Sequence, residues 1–248
     1  MNNLENVIVL DSPEDVARAG AERFVSHAQT AIDDHDVFSV ALAGGNTPRR
    51  MYQLLASDSF RNEIHWNNVH LFFGDERCVP PNDPDSNYRL AREALISRVQ
   101  IPVRNVHPIN GEGDPIENAK LYEDELRSFF AGRQWPQFDL VLLGLGTDGH
   151  SASLFPLTPA LRETRSWVAS NWVEKLEAFR VTLTVPAINS AANVFFLVTG
   201  SEKAAPLAAV TNGPPQPELL PAQLIKPSDG SLKWLVDRAA ASRLTAGN

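Results

Sequence analysis

The sequence predicts a single α/β domain over residues 1–248, in which helices cover both faces of a mostly parallel sheet. Apolar, strand-like runs alternate along the chain with amphipathic, helix-like runs, as they do when helical crossovers connect parallel strands. Several strand-like runs are unbroken series of Val, Leu and Phe, which is typical of strands buried on both faces. A length of 248 residues with 43% hydrophobic content is sufficient for one core of this kind.

The predicted elements follow one another in a regular order. Strands are predicted at 6–10, 37–43, 69–74, 138–146, 180–185 and 193–200. Helices are predicted at 13–33, 48–58, 86–99, 115–131, 202–210 and 231–243. Ser12 before Pro13, and Thr47 before Pro48, have the cap-then-proline pattern of a helix start. Because sheets of this type bind ligands at the carboxyl ends of their strands, a site is expected in the loops that follow them.

The composition of the sequence restricts the kinds of molecule that this protein is expected to bind. The formal net charge of −8 disfavours nucleic acid and anionic membranes, and an anionic ligand would need locally gathered positive charge. The single cysteine, Cys78, excludes an internal disulfide and a Cys-based zinc cluster. No histidine spacing typical of a metal site occurs, so neither a metal nor a cofactor is expected. The N-terminal sequence does not resemble a signal peptide, and no apolar run approaches ~18 residues, which favours a cytoplasmic protein.

The segment GLGTDGHSAS at 144–153 contains two motif-like patterns, and both fail in context. GLGTDG matches the dinucleotide loop G-x-G-x-x-G, but Pro156 interrupts the long helix that such a loop must start. GHSAS approaches the serine-hydrolase elbow G-x-S-x-G, but no histidine follows Ser151, as the order of that triad requires. What remains is a glycine-rich loop with Asp148 and His150, which fits proton transfer or an ordinary turn.

The loop after the second predicted strand is a candidate anion site. Gly44 and Gly45 permit close approach of the backbone. Asn46 and Thr47 add side-chain donors just before a helix, whose free N–H groups and dipole favour an anion such as phosphate. The Gly-Lys-Ser/Thr ending of a nucleotide P-loop is absent. An ordinary strand-to-helix turn with a good cap is the alternative.

Charged residues follow other strands. Asp75 and Arg77 leave an apolar strand, and a guanidinium binds two phosphate oxygens at once. Lys203 stands near a helix start, where a cation is unfavourable unless it reaches a bound anion. Arg180 opens a further strand and adds positive charge. Internal ion pairs and solvent exposure are the ordinary explanations, but together these residues fit a small phosphorylated substrate and a histidine in proton transfer.

The sequence also resembles the 6-phosphogluconolactonase family over nearly its whole length. Six segments carry the resemblance, in this order: AGGNTPRRMYQLL, FFGDERCVPPNDPDSNYRLAREALI, VHPINGEGDP, FDLVLLGLGTDGHSASLFP, RVTLTVPAIN and LVTGSEKA. The resemblance implies a Rossmann-like fold and hydrolysis of 6-phospho-D-glucono-1,5-lactone, the second step of the oxidative pentose phosphate pathway. The implied partner is this small phosphorylated sugar lactone, bound by a monomer or a small homo-oligomer.

The resemblance implies roles for individual residues. His150 matches the general base that activates water, and Asp148 matches a carboxylate that supports it. The positions that match substrate and phosphate contacts are Gly44, Gly45, Asn46, Thr47, Asp75, Arg77, Arg180 and Lys203. Asn46 departs from the pattern, because many members have serine there.

Two alternatives stay open. Glucosamine-6-phosphate deaminases resemble this family in their D-G-H loop, but the glutamate that assists their histidine aligns with Phe155, which cannot transfer a proton. A catalytically silent sugar-phosphate sensor would use the same pocket without turnover.

Overall fold

The computed structural model describes residues 3–244 as an α/β fold. Its strands are β1 (Val7–Leu10), β2 (Phe38–Leu42), β3 (Val69–Phe73), β4 (Asp75–Arg77), β5 (Leu140–Leu143), β6 (Val168–Val173), β7 (Ala178–Leu183), β8 (Asn193–Val198) and β9 (Ser231–Asp237). Its α-helices are α1 (Pro13–His35), α2 (Asn46–Leu55), α3 (Asn87–Ala94), α4 (Pro115–Phe129), α5 (Val185–Asn189) and α6 (Ala204–Asn212).

The strands form two sheets of different kinds. Six parallel strands make the main sheet in the order β1-β9-β8-β5-β2-β3, while β4, β7 and β6 form a small antiparallel sheet. Gly74 joins the two sheets, because its N–H donates to Leu42 O (2.9 Å) and its carbonyl accepts from Leu183 N (2.8 Å). The predicted α/β architecture with a mostly parallel sheet and flanking helices is confirmed.

The interior strands and α1 form for the reasons that the sequence indicates. All residues of β2 and β5 are buried, which matches their unbroken apolar sequences. Helix α1 begins with Pro13, and the preceding Ser12 Oγ accepts a hydrogen bond from Asp15 N (3.2 Å). It packs against α2 and against β2, β8 and β9, so its apolar face covers the middle of the main sheet.

The prediction of a helix at 231–243 is wrong. Ser231–Asp237 is β9, which pairs in parallel with β8 on one side and β1 on the other. Trp234 is buried and stacks on Phe196 of β8, with ring centroids 3.7 Å apart. The position between β8 and β1 needs a strand to complete both hydrogen-bond ladders, so tertiary pairing outweighs the local amphipathic pattern.

The strand predicted at 180–185 forms, but not in the main sheet. It belongs to β7, which runs antiparallel to β4 and β6. No strand is predicted at Asp75–Arg77, because three charged residues carry no apolar signal, yet these residues form β4. The strand predicted at 138–146 is shorter in the structure, since β5 ends at Leu143 and the glycine-rich loop begins at the next residue.

Candidate active site

A cavity of about 540 Å³ lies at the carboxyl ends of β2, β3, β5 and β8. Its apolar floor includes the final residues of β5 and β8. The predicted site residues that line it are Gly44, Gly45, Asn46, Thr47, Asp75, Arg77, His150 and Lys203. Asp148 and Arg180 lie behind this first layer, next to His150 and Arg77 respectively. The structure therefore brings together the loops that the sequence singles out.

Buried tyrosines hold the ends of two of these strands. The Tyr52 hydroxyl accepts from Ala43 N (3.0 Å) and donates to Ala43 O (2.8 Å), directly before the glycine pair. The Tyr122 hydroxyl makes the same two bonds with Phe73, at 2.8 Å and 3.1 Å. Burial raises the pKa of both phenols, so they stay neutral donors. The loops that line the cavity thus start from fixed backbone positions.

The glycine-pair loop forms an uncapped helix start at the cavity. Gly45 has a φ of 102° and is the N-cap of α2, so the prediction that Thr47 caps this helix is wrong. Thr47 lies in the first turn, where its Oγ1 and Thr199 Oγ1 share a hydrogen bond of 2.7 Å. In residues 3–244 no side chain caps this helix start, so its N–H groups and dipole are available to an anion.

Asp75 is a fixed carboxylate at the cavity wall. Its Oδ2 accepts from Ser153 Oγ (2.6 Å) and its Oδ1 accepts from Asn87 Nδ2 (3.3 Å). Asn87 in turn lies against the glycine pair, since a Cβ on Gly44 would stand 1.8 Å from Asn87 Oδ1. Gly44 is therefore required by the close approach of α3. Both carboxylate oxygens of Asp75 accept hydrogen bonds from protein groups. Asp75 therefore contributes a fixed negative charge to the wall of the cavity.

The three predicted cations have different positions. Arg77 lines the cavity, and its Nη1 donates to Asp85 O. Arg180 is its cross-strand neighbour and donates from Nη1 to Phe179 O (2.9 Å), and burial together with the Arg77 charge lowers the pKa of its guanidinium. Lys203 lines the cavity from the 3-10 turn Ser201–Lys203 and is the N-cap of α6, so the prediction that it lies in the first turn of the helix at 202–210 is wrong.

His150 has a defined orientation in the loop after β5. Its Nδ1 lies 2.5 Å from Asp148 Oδ1, a contact that places the proton on Nδ1 and leaves the lone pair on Nε2. Among residues 3–244, Nε2 has no hydrogen-bond partner. The ring lies over Gly146, where a Cβ would stand 2.0 Å from Nδ1, and stacks on Phe155 at a centroid distance of 4.1 Å.

The surroundings of His150 favour its neutral form. Burial lowers its pKa to about 4, and the positive charges of Lys203, Arg180 and Arg77 act in the same direction, while Asp75 opposes them. The imidazole is therefore unprotonated at neutral pH, as a base must be.

Sequence reasoning missed Lys175, which pairs with Asp148 Oδ2. It also missed the roles of Asn87 and Ser153 at Asp75. Asn87 lies at the start of the helix predicted at 86–99, but the sequence does not indicate that this helix start lies against Asp75. Nothing local marks Lys175, because it lies in the turn between β6 and β7 and reaches the site only through the fold.

The two rejected motifs have other structural explanations. The loop GLGTDG closes on itself through Gly146 N and His150 O (2.8 Å), instead of opening a long helix. Ser151 is buried and its Oγ donates to Gly144 O (2.9 Å), as in a structural serine.

Over the described residues there is no cluster of three or more His, Cys, Asp or Glu that could hold a metal ion, and no helix with the length and hydropathy of a membrane span.

The fold and the site define an α/β protein in which a neutral histidine and the N-terminus of α2 line one cavity at the carboxyl ends of the parallel strands. A family model described as glucosamine-6-phosphate isomerases/6-phosphogluconolactonase matches residues 11–234. This chain belongs to that family.

Individual relatives match over most of their length. A 6-phosphogluconolactonase of Synechocystis sp. is 43% identical over 218 residues, which are 86% of this chain and 88% of the relative. One from Nostoc sp. is 36% identical and covers 97% of this chain and 99% of the relative. A solved structure of 6-phosphogluconolactonase from Trypanosoma brucei superposes with a TM-score of 0.85 at 30% identity, covering 97% of this chain and 98% of that one.

Proposed function

We propose that this chain hydrolyses 6-phospho-D-glucono-1,5-lactone to 6-phospho-D-gluconate. The observation that carries the proposal is the neutral imidazole of His150. Its Nδ1 is bound by Asp148, and within residues 3–244 its Nε2 has no hydrogen-bond partner and no side chain caps the start of α2 in the same cavity. The activity named for the relatives above agrees with this chemistry.

In this reaction His150 Nε2 takes a proton from water while the water oxygen attacks the lactone carbonyl. Asp148 stabilises the imidazolium that forms. The tetrahedral intermediate then collapses: the carbonyl re-forms, the bond between the carbonyl carbon and the ring oxygen breaks, and the imidazolium returns its proton to the departing ring oxygen. The base is regenerated, so the reaction needs neither a metal nor a cofactor.

The phosphate orients the substrate from the opposite end. The N–H groups at the start of α2, the guanidinium of Arg77 and the ammonium of Lys203 all line the cavity and supply hydrogen-bond donors and positive charge. A phosphate held there directs the ring towards His150, and this positioning lowers the entropic part of the barrier. Arg180 adds to the positive potential from behind Arg77.

Phe155 argues against a deaminase reaction at the same site. Its ring lies against His150 and is buried, so no ionisable side chain assists the histidine from that position. Ring opening of an amino sugar needs such a proton donor, and lactone hydrolysis does not.

Stopped-flow hydrolysis of freshly generated 6-phosphogluconolactone tests the proposal. Wild type should exceed the spontaneous rate, and His150→Ala should lower kcat by about 10² or more, because general base catalysis contributes that much. His65→Ala is the matched control, since His65 is exposed and lies outside the cavity. If wild type binds 6-phosphogluconate but does not accelerate hydrolysis, the protein is a sensor. Equal turnover by His150→Ala would remove His150 from the mechanism.

We also propose that the chain acts as a single cytoplasmic domain, as a monomer or a small homo-oligomer. The single cysteine, Cys78, fits a reducing compartment. Light scattering coupled to size-exclusion chromatography measures the oligomeric state directly.

A further inference from the structure

Lys175 contacts both residues that hold the imidazole of His150, and does not contact the imidazole itself. Its Nζ pairs with Asp148 Oδ2, the carboxylate oxygen that His150 leaves unused. The same Nζ lies 4.8 Å from the centroid of the Phe155 ring, whose other contact is the stack on His150. A side chain from a distant hairpin thus completes the surroundings of the candidate base.

The turn that carries Lys175 is braced. Trp172 Nε1 donates to Glu174 Oε2 (2.7 Å), and the Trp172 ring packs edge-on against Phe179 across the hairpin, with centroids 5.0 Å apart. Glu177 N donates to Glu174 O (3.0 Å) and closes a 3-10 turn, with Glu177 in the left-handed region at a φ of 46°. These contacts hold the exposed rings of Trp172 and Phe179 in place, and they fix the backbone from which the Lys175 side chain extends.

We propose that Lys175 is a positioning residue for His150 and acts through Asp148. The proposal rests on the proposed function, in which His150 is the base. An aspartate bound through one oxygen only can rotate about its side-chain torsions. An ammonium on the second oxygen fixes the carboxylate, so that Oδ1 stays aligned with Nδ1 and the lone pair stays on Nε2.

Lys175 also balances the charge of Asp148. The charged groups around His150 are Asp148 in its own loop, Lys175 from the β6–β7 turn, Asp75 and Arg77 from β4, Arg180 from β7 and Lys203 before α6. Loss of Lys175 leaves the Asp148 charge uncompensated, which stabilises the imidazolium and raises the pKa of His150. The base would then be protonated at a pH where the wild-type base is free.

The test compares Lys175→Met, Lys175→Arg and the remote control Lys226→Met, in the wild-type and the Asp148→Asn backgrounds. Lys226 is an exposed lysine outside the cavity, so its removal subtracts the same charge without touching the site. Two quantities are measured: the pH profile of kcat with 6-phosphogluconolactone, and the titration of the His150 ring by NMR in the free protein. The NMR titration does not depend on turnover, so it distinguishes a wrong role for Lys175 from a wrong proposed function.

We expect Lys175→Met to lower kcat about 10-fold and to raise the pKa of His150, while Lys175→Arg restores both and Lys226→Met changes neither. In the Asp148→Asn background the further loss from Lys175→Met should be under about twofold, because the residue through which Lys175 acts is no longer a charge. Equal losses in the two backgrounds would overturn the proposal. An unchanged titration of His150 in a folded Lys175→Met protein would overturn it as well.

Discussion

At the residue scale, the proposed reaction depends on His150, whose two ring nitrogens have different surroundings. Nδ1 is bound to Asp148, whereas Nε2 has no partner among the described residues. Burial lowers the pKa of His150 and keeps the ring neutral. In the proposed mechanism Asp148 stabilises the imidazolium that forms only during the reaction. A permanently charged imidazole could not act as a base, and an unsupported one would have no fixed tautomer.

The pH dependence of turnover follows from the lowered pKa of His150. The active form is the neutral base, so kcat/KM should stay level from pH 8 to about pH 6 and fall as the pH drops through about 4. A pH-rate profile, corrected for spontaneous hydrolysis at each pH, measures this limb. A limb centred near 6.5, the ordinary value for histidine, would contradict the environment described for His150.

At the scale of elements, the conformation of the loop after β5 shows which of its glycines are needed. Gly146 lies directly beneath the His150 ring, and an added Cβ would stand 2.0 Å from Nδ1 and 2.7 Å from Asp148 Oδ1. At Gly144, by contrast, the described part of the chain places no atom within 4 Å of an added Cβ, apart from the neighbouring residues in sequence. Of the three glycines in the pattern that imitates a dinucleotide loop, Gly146 is required by the position of the His150 ring and Gly149 has a φ of 77°, while Gly144 is not required by the contact with His150.

Gly146→Ala should therefore displace His150 from Asp148 and lower kcat by about 10-fold or more, because a base moved by 1 Å loses its alignment. Gly144→Ala is the matched control in the same loop. We expect its free energy of unfolding to stay within about 0.5 kcal/mol of wild type. Stopped-flow kinetics measures kcat for both variants, and urea unfolding measures their free energies of unfolding. Similar kcat values for the two variants would show that Gly146 is not needed for the position of the base.

The proposed phosphate contacts lead to a separate prediction about substrate specificity. Arg77→Met and Lys203→Met should each raise KM for the phosphorylated lactone about 10-fold or more, because each removes a charge-assisted contact. Arg180→Met should have a smaller effect, since Arg180 does not line the cavity. Unphosphorylated glucono-1,5-lactone is the control substrate, and its KM should not change. A parallel rise for both substrates would mean that these residues do not recognise the phosphate.

The whole molecule carries a second histidine network far from the cavity. His70 of β3 contacts His107 at 3.0 Å between Nδ1 and Nε2, and His107 Nδ1 lies 2.6 Å from Glu125 Oε1. Burial lowers the pKa of His70 to about 4, and the charges of His107 and Arg104 act in the same direction. Protonation of this network is therefore coupled to the stability of the fold.

The sign of that coupling follows from the two pKa values of His70. The unfolded chain binds the proton near pH 6.5 and the folded chain near pH 4, so stability is lost as the pH falls through this window. Glu76 acts in the opposite direction, because burial raises its pKa in the folded state. His70→Asn should reduce the slope of unfolding free energy against pH between 6.5 and 4. Urea unfolding measures the slope, and an unchanged slope would exclude His70 as its source.

Local sequence signals predicted much of the fold and of the site. The unbroken apolar sequences of β2 and β5 and the capped start of α1 are readable because burial and capping act over a few residues. The rule that parallel sheets bind ligands at one edge then selected the loops that the cavity gathers. The prediction of a helix at 231–243 failed because the information was not local. The amphipathic pattern of this segment suits a helix, and only its pairing with β8 and β1 requires the strand β9.

By itself the sequence determined an α/β chain whose strand ends carry a glycine pair, cations and one histidine, because these features are encoded in short segments. The tertiary structure decided which groups meet. It placed Lys175 on Asp148, bound both oxygens of Asp75 and put Arg180 behind Arg77. Contacts of this kind join residues that are distant along the chain, so they depend on the packing of whole elements and leave no local pattern.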